Sequence, residues 1–188
     1  LSFSAGMWYN TGKILCKGGR AVRTIYVDLG ELDQSGALGL ISSKVQILPA
    51  GAVIRTEQAE IRAEVPRYQE MAERAGVFFF FEDEELPELP FFAVPGLELA
   101  ARDRDGGWYG RAESIGDGVY CVTPDGVVFL VSEGMERFSG RLLAGEEVRE
   151  MWEPAPGLRV YPSKAEAAGQ IRLIPLSELA PEALERGE

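Results

Sequence analysis

The sequence predicts an α+β protein: one twisted, mainly antiparallel sheet with helices packed on it, plus a β-rich N-terminal segment. Three observations carry that expectation. First, the runs GVYCV and VVFLV are apolar at both strand parities and flank Thr-Pro-Asp-Gly, a strong turn signal. Second, PRYQEMAERAG and EGMERFSGRLLAG each set apolar residues at i, i+3 and i+7, the spacing of one helix face. Those residues are Tyr68, Met71 and Ala75 in the first, and Met135, Phe138 and Leu142 in the second. Third, the region before Thr56 reads as short strands and turns. The expected organisation is a β-rich segment over 1–56 and an α+β domain over 57–188. The whole length also fits a single large domain.

The elements follow in order. KILC and VRTIYVDL flank KGGR, a hairpin whose glycines supply positive φ. LDQSGALG is loop, and KVQILP is a strand closed by Pro49. Thr56 caps a helix over EQAEIRAEV, with Glu57 in its first turn. Pro66 opens a second helix that Gly76 stops, with Glu70 and Arg74 paired at i,i+4 on its exposed side. VFFFF is a strand covered on both faces, and EDEELPELP is a charged, proline-broken loop. A meander of three or four strands spans 96–132. The helix from Met135 ends at Gly145 or continues to Trp152. LRVY is a short strand, and SKAE has capping-box spacing for a short helix ended by Gly169. QIRLIPL is a last strand, and Ser177 caps a terminal helix.

Composition excludes several function classes. The chain has no histidine, so Ser-His-Asp and Cys-His chemistry and histidine-containing zinc sites are ruled out. Its two cysteines, Cys16 and Cys121, make neither a disulfide framework nor a four-cysteine metal site. Cys121 sits in an apolar run and reads as a buried small residue. No cofactor and no enzymatic activity are expected, and no carboxylate spacing selects a glycosidase pair. No apolar run is long enough to suggest a membrane span or a secretory signal, so a cytoplasmic location is expected. Met7 reads as the natural start, with Leu1 to Gly6 upstream of it.

The net charge of −11 is unevenly spread. Residues 1–56 carry six Lys/Arg and three Asp/Glu; residues 57–188 carry thirteen and twenty-seven. Such a surface repels nucleic acid and attracts a basic protein. The densest cluster is Glu82, Asp83, Glu84, Glu85 and Glu88, directly after four consecutive phenylalanines. It suits either a solvated loop that keeps an aromatic strand from aggregating or a docking patch. Asp103 and Asp105 in DRDGG belong to a polar hairpin turn: a calcium loop would need Gly where Trp108 stands and Glu where Ser114 stands. Trp108 and Tyr109 follow that turn. As strand neighbours they alternate, which sends at least one into the core; at a strand end they are candidate interface anchors. The candidate partner-binding set is therefore Glu82, Asp83, Glu84, Glu85, Glu88, Asp103, Asp105, Trp108 and Tyr109.

The segments EDEELPELPFFAVPG, ARDRDGGWYG, GVYCVTPDGVVFLVSEG and MERFSGRLLAG, within Pro66 to Gly145, resemble the SUKH superfamily. The resemblance implies one twisted antiparallel sheet with helices on it. It also implies the role of many members, bacterial immunity proteins that bind and neutralise toxins, often nucleases. The expected partner is thus a protein, a basic toxin domain, docked on the acidic surface. The alternative is a small-molecule-binding or regulatory module, as a monomer or an oligomer.

Overall fold

Thr123 to Gly126 fold into a tight turn because each residue suits its place. Pro124 and Asp125 fill the middle, Gly126 takes φ +80°, and its N–H donates to the Thr123 carbonyl at 2.9 Å. The computed structural model describes residues 13–15, 21–31, 45–57, 65–82, 84–155, 157–175 and 178. It is α+β, as the sequence predicts. The turn joins β9 (Val119–Val122) to β10 (Val128–Ser132), and β8 (Trp108–Arg111) and β7 (Leu97–Asp103) extend the antiparallel meander. On the outer side of β10 lies β11 (Glu153–Pro154). The far edge of β7 is shared: β4 (Ala52–Ile54) runs parallel beside its first half and β5 (Val77–Phe79) antiparallel beside its second.

This central sheet is apolar on both faces. One face carries α1 (Val65–Ala75) and α2 (Met135–Ala144), which bury Met71, Phe138 and Leu142 against Val77, Phe79, Tyr109 and Cys121. Each such buried large side chain contributes roughly 1.5–3 kcal/mol. The first helix stops at Gly76 (φ +68°) as expected, and the second takes the nearer of its two expected ends, Gly145 (φ +75°), both glycines lying in the left-handed region. Glu70 and Arg74 pair at 2.7 Å. Beyond Gly145 the chain forms a separate 3-10 turn at Val148–Met151. The opposite face buries Phe80, Leu97, Leu99, Trp108, Tyr120 and Val122 under Leu89, Phe91 and Leu158.

A β-bulge lets one strand serve both faces. Leu99 pairs with Gly110 and Ala101 pairs with Tyr109, which leaves Ala100 as the extra residue. Parity therefore inverts within β7: Leu97 and Leu99 face the loop-covered side, and Ala101 faces the helices.

A second sheet joins β1 (Lys13–Leu15), β2 (Ala21–Asp28), β3 (Val45–Ala50) and β13 (Leu173–Ile174). β1 and β2 pair antiparallel across the KGGR segment, the expected hairpin. Four features depart from the sequence reading. Pro49 does not close its strand: β3 runs on to Ala50, turns at Gly51 (φ +105°) and continues as β4 in the central sheet. The Pro49 carbonyl meanwhile accepts from Gly96 N at 2.7 Å. Glu57 stands in a β-bridge with Phe81 instead of a helix's first turn, because the open edge beyond β4 offers its backbone partners; residues 58–64 of that expected helix lie outside the described residues. The VFFFF strand is shorter than expected and leaves Phe78 40% exposed. The QIRLIPL strand shrinks to the two residues of β13. The KGGR turn, the LDQSGALG loop, Cys16 and the Ser177 cap also lie outside the described residues.

A small ribbon of β6 (Phe92–Val94) and β12 (Arg159–Tyr161) links the two sheets, with α3 (Lys164–Ala168) against it. Ser163 caps α3 by accepting from Glu166 N at 3.2 Å, as the SKAE spacing predicts.

Candidate functional site

The β7–β8 hairpin is built around Asp103. Its Oδ1 accepts from the N–H groups of Asp105 at 2.9 Å and Gly107 at 2.8 Å, closing an Asx turn. Its Oδ2 accepts from the Tyr109 hydroxyl at 2.6 Å. Asp103 is thus turned into its own hairpin instead of toward a partner, which corrects its placement in the docking set. Trp108 and Tyr109 are corrected with it. Trp108 is 9% exposed and lies against Phe80 and Phe91; Tyr109 is fully buried and stacks on Phe138 at 5.5 Å. Strand alternation sends the two rings to opposite faces, and both faces are covered, so neither ring is available as an anchor.

Asp105 remains at the surface. It pairs with Arg149 at 2.6 Å, and the Arg149 guanidinium lies 5.9 Å from the Trp152 ring. Trp152 in turn stacks on Phe129 at 4.5 Å. Arg149 therefore straps the 3-10 turn to the hairpin tip. Between this strap and the Thr123–Asp125 turn is a shallow groove of about 390 Å³, lined by Asp105, Thr123, Asp125, Arg149 and Trp152.

The thiol nearest this end is Cys121, and it is buried as the sequence predicts. Burial pushes it from its ordinary value of 9.0 up to about 12, while the Tyr109 hydroxyl pulls slightly the other way. Burial, with Cys121 and Asp103 beside it, likewise raises Tyr109 far above its ordinary value. Both groups are therefore uncharged at neutral pH. An unfolded thiol ionises near pH 9 and the folded one near pH 12, so the stabilisation is complete below pH 9 and is lost as pH rises toward 12. The loss amounts to about 1.4 kcal/mol per pH unit for one proton. Urea unfolding of Cys121→Ala is expected to show a flatter slope between pH 9 and 10 than the wild type, whatever its offset. Equal slopes would mean that Cys121 is not the titrating group.

The acidic loop is a separate surface. It begins after Phe81, two residues beyond β5, where Glu57 bridges to Phe81 and its N–H donates to the Phe80 carbonyl at 2.9 Å. It is anchored again where Leu89 and Phe91 pack beside Trp108. Glu82, Glu84, Glu85 and Glu88 are exposed, and none forms an ion pair among the described residues; Asp83 lies outside them. Leu86, in the middle of the loop, is 43% exposed. Of the candidate residues, then, the described loop glutamates share one surface. Asp105 sits at the hairpin tip, and Asp103, Trp108 and Tyr109 are structural.

Sequence reasoning missed two surface features. One is the Arg149–Trp152 strap, whose i,i+3 spacing is its only local sign. The other is an exposed group of Phe78, Arg102 and Arg104. Phe78 pairs in register with Arg102 across β5 and β7, and the Arg104 guanidinium lies 5.7 Å from the Phe78 ring. Finding that group needed the strand register. No family model, curated protein or solved structure matches this chain.

Proposed function

We propose that this chain is a non-enzymatic binding protein of the immunity type, resembling the SUKH superfamily, whose acidic loop docks on a basic partner such as a toxin nuclease domain. The observation that carries the reading is the state of Glu82, Glu84, Glu85 and Glu88: four exposed carboxylates within seven residues, with no cation paired to them among the described residues. Six arginines elsewhere on the domain are held by other carboxylates: Arg55, Arg74, Arg111, Arg137, Arg141 and Arg149. The loop's field is therefore left unneutralised, and such a field speeds encounter with a positive surface. Both ends of the loop are fixed, by the Glu57 backbone pairing and by Phe91 against Trp108, which lowers the ordering cost of docking. The antiparallel meander with α1 before it and α2 after it on one face also supports the resemblance.

The test is capture with two baits. Wild-type chain at low salt is expected to recover a protein rich in Lys and Arg, released at high salt, where screening shortens the reach of charge to a few ångströms. A Glu82→Lys/Glu84→Lys/Glu85→Lys bait with unchanged melting temperature is expected to lose that protein. Equal recovery by both baits would overturn the docking reading.

A further inference from the structure

We infer that Phe78, Arg102 and Arg104 form the docking surface for the acidic loop of a second copy of this chain, giving a two-fold dimer. These two arginines differ from those around them. Arg74 and Arg111, the nearest in sequence on either side, each have a carboxylate within 4 Å, whereas Arg102 and Arg104 have none among the described residues. Arg104 is instead laid over Gly76, whose missing side chain leaves room for it, and over the ring of Phe78. The result is an exposed aromatic ring flanked by two unpaired cations on a chain of net charge −11.

The complementary surface is on the same molecule. The acidic loop carries unpaired carboxylates around an exposed Leu86. Phe78 and Leu86 are two of the three large apolar side chains left exposed among the described residues. The two surfaces also share a side of the sheet. Val77 and Phe79 bury on the helical face, so alternation turns Phe78 and Phe80 the other way, onto the face that Leu89 and Phe91 cover. Two self-complementary patches on one face are what an isologous interface requires. A two-fold axis between them lays the arginines of each copy on the loop of the other, twice over. The second copy would occupy the same loop as the basic partner proposed above, so self-association and partner binding exclude each other.

Sedimentation velocity on the full chain, from micromolar to submillimolar and at low and high salt, reads this directly. The wild type is expected to dimerise at low salt and dissociate as salt rises. Arg102→Glu/Arg104→Glu and Glu84→Arg/Glu85→Arg should each be monomeric, with the dimer dissociation constant raised about tenfold or more. Mixed one to one, the two variants should dimerise again, because each cross pair has opposite charges while each self pair repels. Circular dichroism and melting temperature confirm that both variants fold; if the loop variant does not, Glu84→Gln/Glu85→Gln replaces it in the comparison with wild type. A wild type that is monomeric throughout, a dimer indifferent to both reversals, or a mixture that stays monomeric would each overturn the inference. A monomeric result leaves the docking proposal standing, since capture requires no second copy. Loss of capture specificity with an intact dimer would remove that proposal and not this one.

Discussion

Replacing Asp103 with alanine is expected to destabilise the fold by about 3 kcal/mol, a large share of it through one buried hydroxyl. The carboxylate accepts three hydrogen bonds, two from hairpin N–H groups and one from Tyr109. After substitution the Asp105 N–H, at an exposed turn, can turn to water. The Tyr109 hydroxyl cannot do so as readily, because its ring is wedged between the sheet and Phe138. Ionisation offers no escape either, since burial holds its pKa far above neutral pH. A double-mutant cycle isolates that hydroxyl. In a Tyr109→Phe background, Asp103→Ala should cost about 1–2 kcal/mol less than in the wild type, measured from urea midpoints. Asp103→Asn keeps an oxygen for the two N–H groups and should fall between wild type and alanine. If alanine costs the same in both backgrounds, the Asp103–Tyr109 bond is not what secures the hairpin.

Gly110→Ala is expected to be comparably severe, costing about 3 kcal/mol or more. An added Cβ would sit 2.2 Å from the Glu98 carbonyl oxygen and 2.8 Å from the Leu99 Cα. Both are backbone atoms of the neighbouring strand, so no side-chain rotation relieves the clash. The bulge opposite Gly110 is what brings that backbone so close. Relief therefore requires opening the bulge, which would return β7 to plain alternation and send Ala101 out of the helical core. Gly140→Ala is the control, because a Cβ there meets nothing within 4 Å and a helix interior favours alanine. Its melting temperature should stay level or rise while that of Gly110→Ala falls by many degrees. A Gly110→Ala protein as stable as the wild type would show that the bulge is not held by close backbone approach.

These two effects mark where local reading stops. The β9–β10 turn, the stops at Gly76 and Gly145 and the Ser163 cap were all legible because each depends on one residue's own backbone preference or on a partner three or four residues away. The helical faces of α1 and α2 were legible because burial follows the helical period. The docking set was only partly legible. Composition marked the glutamates of the loop, and they are exposed. Composition could not separate Asp105 from Asp103, since the difference is a hydrogen bond to a tyrosine in the next strand. It also could not show that the sheet is covered on both sides, which is why Trp108 and Tyr109 are both core residues. Phe78, Arg102 and Arg104 become one surface only through the β5–β7 register.

By itself, then, the sequence determined the α+β class, the antiparallel meander, the ends of its helices and the concentration of negative charge after Phe81. Apolar period, turn chemistry and net charge are properties of short stretches and survive without knowledge of what lies across from them. The tertiary structure decided how β3 passes through Pro49 into β4, how β13 returns to β2, and which carboxylates remain free. Those outcomes depend on which backbone and which cation happen to face each residue, and the partners are 43 residues apart for Arg55 and Glu98 and 44 for Asp105 and Arg149. No local window contains both members of such a pair, so only the folded chain can fix them.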